Sequence, residues 1–123
     1  MSTGWSIAAL YSDDMSSRVL ATVASPVPVQ PLPASQVTSG DPAAGVIEFV
    51  GVPVPCGLWE HTVGSSTDTE VDEVFVVLAG HARIEIEGQD ALTVGPGDVV
   101  HLEAGTRTTW HVTEDLRKFW VTP

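Results

Sequence analysis

Two side chains in this sequence have the type and setting that proton transfer needs. Glu73 opens the apolar run Glu73-Val-Phe-Val-Val-Leu-Ala-Gly80, and His61 closes the run Leu58-Trp59-Glu60-His61. A carboxylate surrounded by apolar side chains has a raised pKa unless a cation meets it, and an imidazole titrates near neutral pH. The cations available to Glu73 are few, because the basic residues are Arg18, Arg83, Arg107, Arg117 and Lys118; Arg83, Arg107 and Lys118 are the candidates. On a strand, Glu73 shares a face with Phe75 and Val77, and His61 shares one with Trp59. Trp110 lies on the face opposite to His111, so only one of those two can line an interior. Large aromatic faces such as Trp59 and Trp110 can stack on a sugar or another planar ring. The candidate catalytic residues are therefore Glu73 and His61. Around them Trp59, Phe75, Arg83, Trp110 and Lys118 are candidate ligand-binding residues. Arg117 and Lys118 are adjacent on an expected strand, so one should point inward and the other outward.

Short strands must position these residues. Val46–Val50, Leu58–Val63, Glu73–Leu78, Ala82–Glu87, Leu92–Val94, Val99–Leu102, Thr108–Val112 and Lys118–Val121 are apolar, β-branched or alternating, with Gly80 expected to end the third. Gly88-Gln89-Asp90, Gly95-Pro96-Gly97-Asp98 and Ala104-Gly105 are turns. Many short strands at regular spacing argue for a sandwich or barrel, and no repeat suggests a second one. Asp68, Glu70, Asp72 and Glu73 fall near one another; they read as a solvated acidic loop, with a weak oxygen-donor cation site as the alternative. Residues 1–28 differ in texture: a weak helical pattern through Ile7, Leu10, Tyr11 and Met15 suggests a partly ordered arm. Pro26, Pro28, Pro31 and Pro33 then impose an extended chain. The division is an arm over 1–28 and one domain over 29–123.

The bulk properties narrow the function classes. At 123 residues the chain supports one self-sufficient core. Sixteen acidic residues against five basic ones give a net charge of -11, which argues against nucleic acid and anionic lipid as partners. Cys56 is the single cysteine, excluding an internal disulfide and a cysteine-rich zinc site; it reads as a small buried hydrophobe. No secretory signal or long apolar span is visible, so a cytoplasmic location and no membrane association are expected.

Glu73 to Gly80 and Pro96-Gly97-Asp98-Val-Val-His-Leu-Glu-Ala-Gly105 together resemble the two signature motifs of the cupin superfamily. Ser39-Gly40-Asp41-Pro42, Gly57-Leu-Trp59-Glu60, Thr62, Gly64, Glu73, Trp110 and Leu116-Arg117-Lys118 resemble more narrowly the single-domain cupins related to ethanolamine utilisation protein Q. The resemblance implies an all-β, single-domain jelly-roll barrel with an extended N-terminal arm, and a homodimer in which Val27–Val37 could add to the partner's sheet. It implies a small-molecule ligand inside the barrel. Cupin enzymes commonly hold a transition metal through His, His, Glu and His. The matching positions here are Ser66 and Asp68, or Thr67 and Thr69, then Glu73 and Thr108. Only Glu73 survives as a ligand type, so no metal and no cofactor is expected, and Thr108 joins the candidate ligand-binding residues. The expected function is binding of a small metabolite without the usual metal site. The alternatives are a metal-free isomerase or cyclase using Glu73 or His61, a metal enzyme with atypical ligands, and a structural dimer module.

Overall fold

The computed structural model describes the backbone of residues 7–10 and the chain from Met15 to Pro123. Ten strands and one short 3-10 turn follow in order: β1 Ile7–Leu10, β2 Gln30–Pro31, the turn Ala34–Gln36, β3 Val37–Ser39, β4 Ala43–Phe49, β5 Cys56–His61, β6 Gly64–Thr69, β7 Glu73–Ile86, β8 Leu92–Val94, β9 Val99–Leu102 and β10 Arg107–Val121. Among the described residues no helix is long and apolar enough to cross a membrane.

β7 and β10 form the spine. β10 runs antiparallel to β7 from Thr108 to Val121. Along its other edge it pairs first with β6, from Arg107 to Val112, and then with β5, from Leu116 to Val121. β7 in turn carries β9 beside Glu73–Val76 and β8 beside Ala82–Ile84. β4 follows β5, and β1 and β2 pair with β4. The result is one curled sheet, in keeping with the sandwich or barrel that the strand pattern predicts and the jelly roll that the resemblance implies.

The alternation sets the inside. Along β7, Phe75, Val77, Ala82, Ile84 and Ile86 are buried while Val74, Ala79, His81, Arg83 and Glu85 are exposed. These inward side chains join Val46, Trp59, Trp110, Leu116 and Trp120 in one core. A second cluster lies on the opposite face of β4 and β5, where Ile47, Phe49, Cys56 and Leu58 pack under Val27, Leu20 and Ala21 of the arm. This is why β5 is buried on both faces.

The structure departs from the sequence reading in three places. Gly80 does not end a strand. β7 continues through it with φ +86°, and a side chain there would put Cβ 2.1 Å from the Asp115 carbonyl oxygen. The irregular pairing between Val112, Glu114 and Arg117 bends β10 at the same level. The two short strands expected at Thr108–Val112 and Lys118–Val121 are therefore one bent strand, as are the two expected on either side of Gly80. β6 was not legible, because Gly64-Ser-Ser-Thr-Asp-Thr69 lacks apolar alternation. In the arm, Ile7–Leu10 is a parallel strand beside Val46–Phe49 and not helical; Tyr11 lies outside the described residues. Within the Val27–Val37 segment, Gln30–Pro31 pairs with Ala43–Ala44 of the same chain.

The arm is latched by two arginines. Arg18 donates to the Val50 and Gly51 carbonyls at 3.0 and 3.2 Å. Arg117, nearly buried, donates to the Val23 carbonyl at 3.0 Å and to that of Ser25, and lies 3.5 Å from Glu60 Oε2.

The bend at Gly80 yields a direct test. Gly80→Ala forces an L-residue into a left-handed conformation against backbone, and should cost at least roughly 2 kcal/mol of stability. Urea unfolding followed by tryptophan fluorescence measures it; an unchanged midpoint would show that the bend does not depend on glycine.

Candidate functional site

The barrel interior is organised around an ammonium ion. Lys118 Nζ donates to Glu73 Oε2 at 2.8 Å, and the two side chains are only 2% and 1% exposed. The same Nζ lies 4.3 Å from the ring centre of Phe75, 4.6 Å from that of Trp59 and 4.9 Å from that of Trp110. Strand register produces this arrangement. Lys118 stands across from Trp59 on β5 and Val77 on β7, and Phe75 is two residues from Glu73 on the same face. Lys118 is also the only lysine of the chain. An alkylammonium loses its hydration when buried, and an adjacent carboxylate with three aromatic faces offsets that loss. The expectation that Arg117 and Lys118 part to opposite faces holds: Lys118 enters the barrel and Arg117 grips the arm. The outward member is nevertheless buried, because the arm covers it.

Around this pair lie three further polar groups. His61 is 1% exposed and tilts against Trp59, with ring centres 5.4 Å apart. Its Nδ1 lies 2.6 Å from the Thr62 carbonyl and its Nε2 2.9 Å from Ser66 Oγ. A carbonyl only accepts, so Nδ1 carries the proton and Nε2 accepts from the serine hydroxyl. Burial holds the His61 pKa below its usual value, the Thr62 bond opposes this, and the Lys118 charge reinforces it. Glu70 is buried: its Oε2 accepts from Thr108 Oγ1 at 2.6 Å and from Trp110 Nε1 at 3.0 Å. Its backbone is pinned by the turn at Gly105, through Glu70 N to Thr106 O and Gly105 N to Glu70 O, both at 2.8 Å. Asp68 is half-buried, and its pKa is pushed up to about 6, by burial first and by the Glu70 charge second.

The candidates from the sequence separate into two groups. Glu73, His61, Trp59, Phe75, Thr108, Trp110 and Lys118 share the interior face. Arg83 does not. It is the outward member of its alternating pair, more than half exposed, and its guanidinium meets Glu85 at 2.8 Å. Arg107 is exposed as well, so the cation for Glu73 is Lys118. His111 is outward, as its opposition to Trp110 requires, between Ser65 at 2.8 Å and Glu85 at 3.0 Å. The acidic cluster is not a solvated loop: Asp68, Glu70 and Glu73 turn inward, and only Asp72 is exposed, where its Oδ1 caps the Ala104 amide. Sequence reasoning named Asp68 and Glu70 only as members of that cluster, and Asp68 as a metal-ligand position without a histidine, and not as site residues. Recognising β6 as a strand with Ser66 facing inward would have found Asp68 two residues on.

The register also settles which residues face the position of a cupin metal. Ser66 is inward, beside His61, and Asp68 follows on the same face; Thr67 and Thr69 are exposed. The donors there are a serine, an aspartate, Glu73 and a threonine, with the Lys118 ammonium against the glutamate. That set does not fit the usual cupin metal site: it has none of the three imidazoles, and the one glutamate is already taken by an ammonium. Among the described residues no three His, Cys, Asp or Glu converge to hold a metal ion.

Open space lies at one end of the barrel. A cleft of about 800 Å³ is lined by Gln36, Asp68, Ile86, Glu87, Arg107 and Thr108 among others. Asp68, Thr108 and Ile86 belong to the inner face, so the cleft meets the barrel interior at its rim; Glu73, Lys118 and His61 lie deeper and do not line it.

A curled antiparallel barrel with an inward glutamate on its first motif strand and glycine turns at Gly97 and Gly105 defines a cupin. Its relatives among solved structures agree. EutQ from Clostridium difficile is 20% identical, with a TM-score of 0.62, over 78% of this chain and 79% of that one. A putative ethanolamine utilization protein Q from Salmonella typhimurium is 18% identical, with a TM-score of 0.57, over 76% and 95%. A protein of unknown function from Rhizobium leguminosarum is 30% identical, with a TM-score of 0.54, over 68% and 81%. No curated protein matches the chain. The sequence model of the EutQ-like cupin domain matches residues 52–120, and the chain belongs to that family.

The buried ion pair predicts a non-additive mutant cycle. Glu73→Leu or Lys118→Met alone strands a buried charge and should destabilise by roughly 3–5 kcal/mol. The double replacement should recover most of that loss in urea unfolding. Additive losses would show that the two charges do not depend on each other.

Proposed function

We propose that this EutQ-like cupin binds a small polar metabolite in the cleft at the Asp68–Thr108 rim, without a transition metal. The observation that carries the reading is an open cleft whose lining includes the inward polar residues Asp68 and Thr108. Binding sites are concave, with few convergent polar groups, and this rim supplies Asp68, Thr108 and the adjoining Glu70. The Glu73–Lys118 pair and the three aromatic rings lie deeper, behind the cleft and outside its lining. Thr108, Trp110 and Glu70 are locked to one another, so the rim is pre-organised.

A second reading, metal-free acid-base catalysis, is favoured by Asp68. A carboxylate with a pKa of about 6, half-buried beside a cleft, is poised to take and return a proton near neutral pH. In this reading Asp68 takes the role that sequence analysis gave to Glu73 and His61. Glu73 is engaged by Lys118, and His61 is neutral with both nitrogens bonded.

Ligand-observed NMR with hydroxy acids, polyols and small amines, followed by titration calorimetry, tests the binding. At least one class should bind, and Asp68→Asn should weaken it at least about tenfold. No class binding more tightly than about 1 mM would overturn the proposal.

Asp68 carries a stability signature of its own. Its folded pKa of about 6 lies above the ordinary 3.8, so the folded chain holds the proton more firmly and loses stability as pH rises from about 4 through 6. Asp68→Asn should raise the melting temperature by a few degrees at pH 7.5, about 1 kcal/mol being worth roughly 4 °C at this chain length. The gain should vanish below about pH 4. A variant less stable at pH 7.5 would show that the ionised carboxylate stabilises the fold.

A further inference from the structure

We infer that the chain carries a second small-ligand site, in the cleft beside Trp120, and that this site takes an alcohol: a hydroxyl that accepts from the Trp120 indole and donates to the Glu48 carboxylate. The cleft, of about 390 Å³, is lined by Glu48, Pro55, Val71, Asp72, Trp120 and Pro123 among others. Val71 is the one lining residue it shares with the cleft at Asp68 and Thr108, so the two openings lie on either side of it. The inference goes beyond the binding reading above and does not depend on it.

Trp120 is 4% exposed, and its Nε1 has no acceptor among the described residues. An indole N–H only donates, and a buried donor left unpaired is costly. Trp110 shows the satisfied case, its Nε1 bonded to Glu70 and Thr108. Register sets what Trp120 faces. It stands opposite Gly57 on β5, and Gly57 stands opposite Glu48 on β4. The indole fills the space that Gly57 leaves: a Cβ there would fall 2.8 Å from Trp120 Cζ2, the ring atom next to the carbon that carries Nε1. The N–H edge of the ring therefore lies across β5, toward the strand of Glu48. Glu48 is half-buried and shares the inward face of Val46. Its carboxylate has no hydrogen bond or ion pair among the described residues. A donor without an acceptor and an acceptor without a donor thus border one open space. A hydroxyl serves both; an ether serves only the indole, and an ammonium only the carboxylate. Pro55, Val71 and Pro123 supply apolar wall for the carbon skeleton.

Three probes of equal size separate the possibilities: 1-butanol, its isomer methyl propyl ether, and n-butylammonium. Each is titrated at pH 7.5 into the full chain labelled with nitrogen-15, and the indole N–H resonances of the four tryptophans are followed by NMR. 1-Butanol should move the Trp120 resonance and leave that of Trp110 in place. The ether, which cannot donate to Glu48, should bind at least about tenfold more weakly. n-Butylammonium should leave the Trp120 resonance where it is. In Glu48→Ala, a replacement at a half-buried position, the alcohol and the ether should bind alike. Equal binding of the two isomers to the unmodified chain would overturn the inference, as would a gap between them that survives in Glu48→Ala. Tighter binding of the ammonium than of the alcohol would overturn the ligand class. A Trp120 resonance that no probe moves by about 50 mM would show that water or Glu48 itself serves the indole, and would overturn the site. 1-Butanol moving resonances at Asp68 and Thr108 but not at Trp120 would also overturn it, and would leave the first cleft standing as the binding site.

Discussion

An ammonium ion inside an apolar barrel constrains everything around it. Lys118 can remain charged there only with Glu73 at 2.8 Å and with aromatic faces closing the other directions. That requirement fixes the register of β10 against β5 and β7, since a slip of one residue would send Lys118 outward and Arg117 inward. It also accounts for the concentration of Trp59, Phe75 and Trp110 in one layer of the core.

The same strand position joins interior and exterior. Arg117 and Lys118 are consecutive, one bonded to the carbonyls of the arm and the other to Glu73 in the core. The arm shields Ile47, Phe49 and Leu58 on the outer face, and its carbonyls satisfy a guanidinium that would otherwise be buried alone. Close approach is required along this seam: a Cβ on Gly45 would fall 1.7 Å from the Pro28 carbonyl oxygen. The arm is thus part of the barrel wall, and the arginine that holds it is the neighbour of the lysine at the centre.

The sequence carried the fold well where apolar alternation was strong. β5, β7, β8, β9 and both halves of β10 were visible, with their turns. It failed where local pattern and tertiary role part company. β6 is polar on both faces, because its inward residues, Ser66 and Asp68, meet His61 and the rim and not a greasy core. Glu70 and Asp68 were hidden for the same reason: acidic spacing reads as solvent exposure until a strand is placed there. Seven of the eight proposed site residues reached one face because period-2 alternation from Glu73, Trp59 and Trp110 is reliable. Arg83 was misplaced because the phase of β7 reverses around Gly80, so the face set by Glu73 and Phe75 does not carry across it; the local alternation of Ile84 and Ile86 with Arg83 and Glu85 pointed outward, as found.

Burying the only lysine has a practical consequence for the chemistry of the surface. Apart from the α-amino group, the folded exterior offers no amine, so acylating and cross-linking reagents have no lysine to reach on the native protein. Lys118 becomes reactive only when the barrel opens far enough to bring its Nζ into water. The rate at which that single site is modified is therefore a built-in clock for the opening of the core, with one reporter and no background from other lysines.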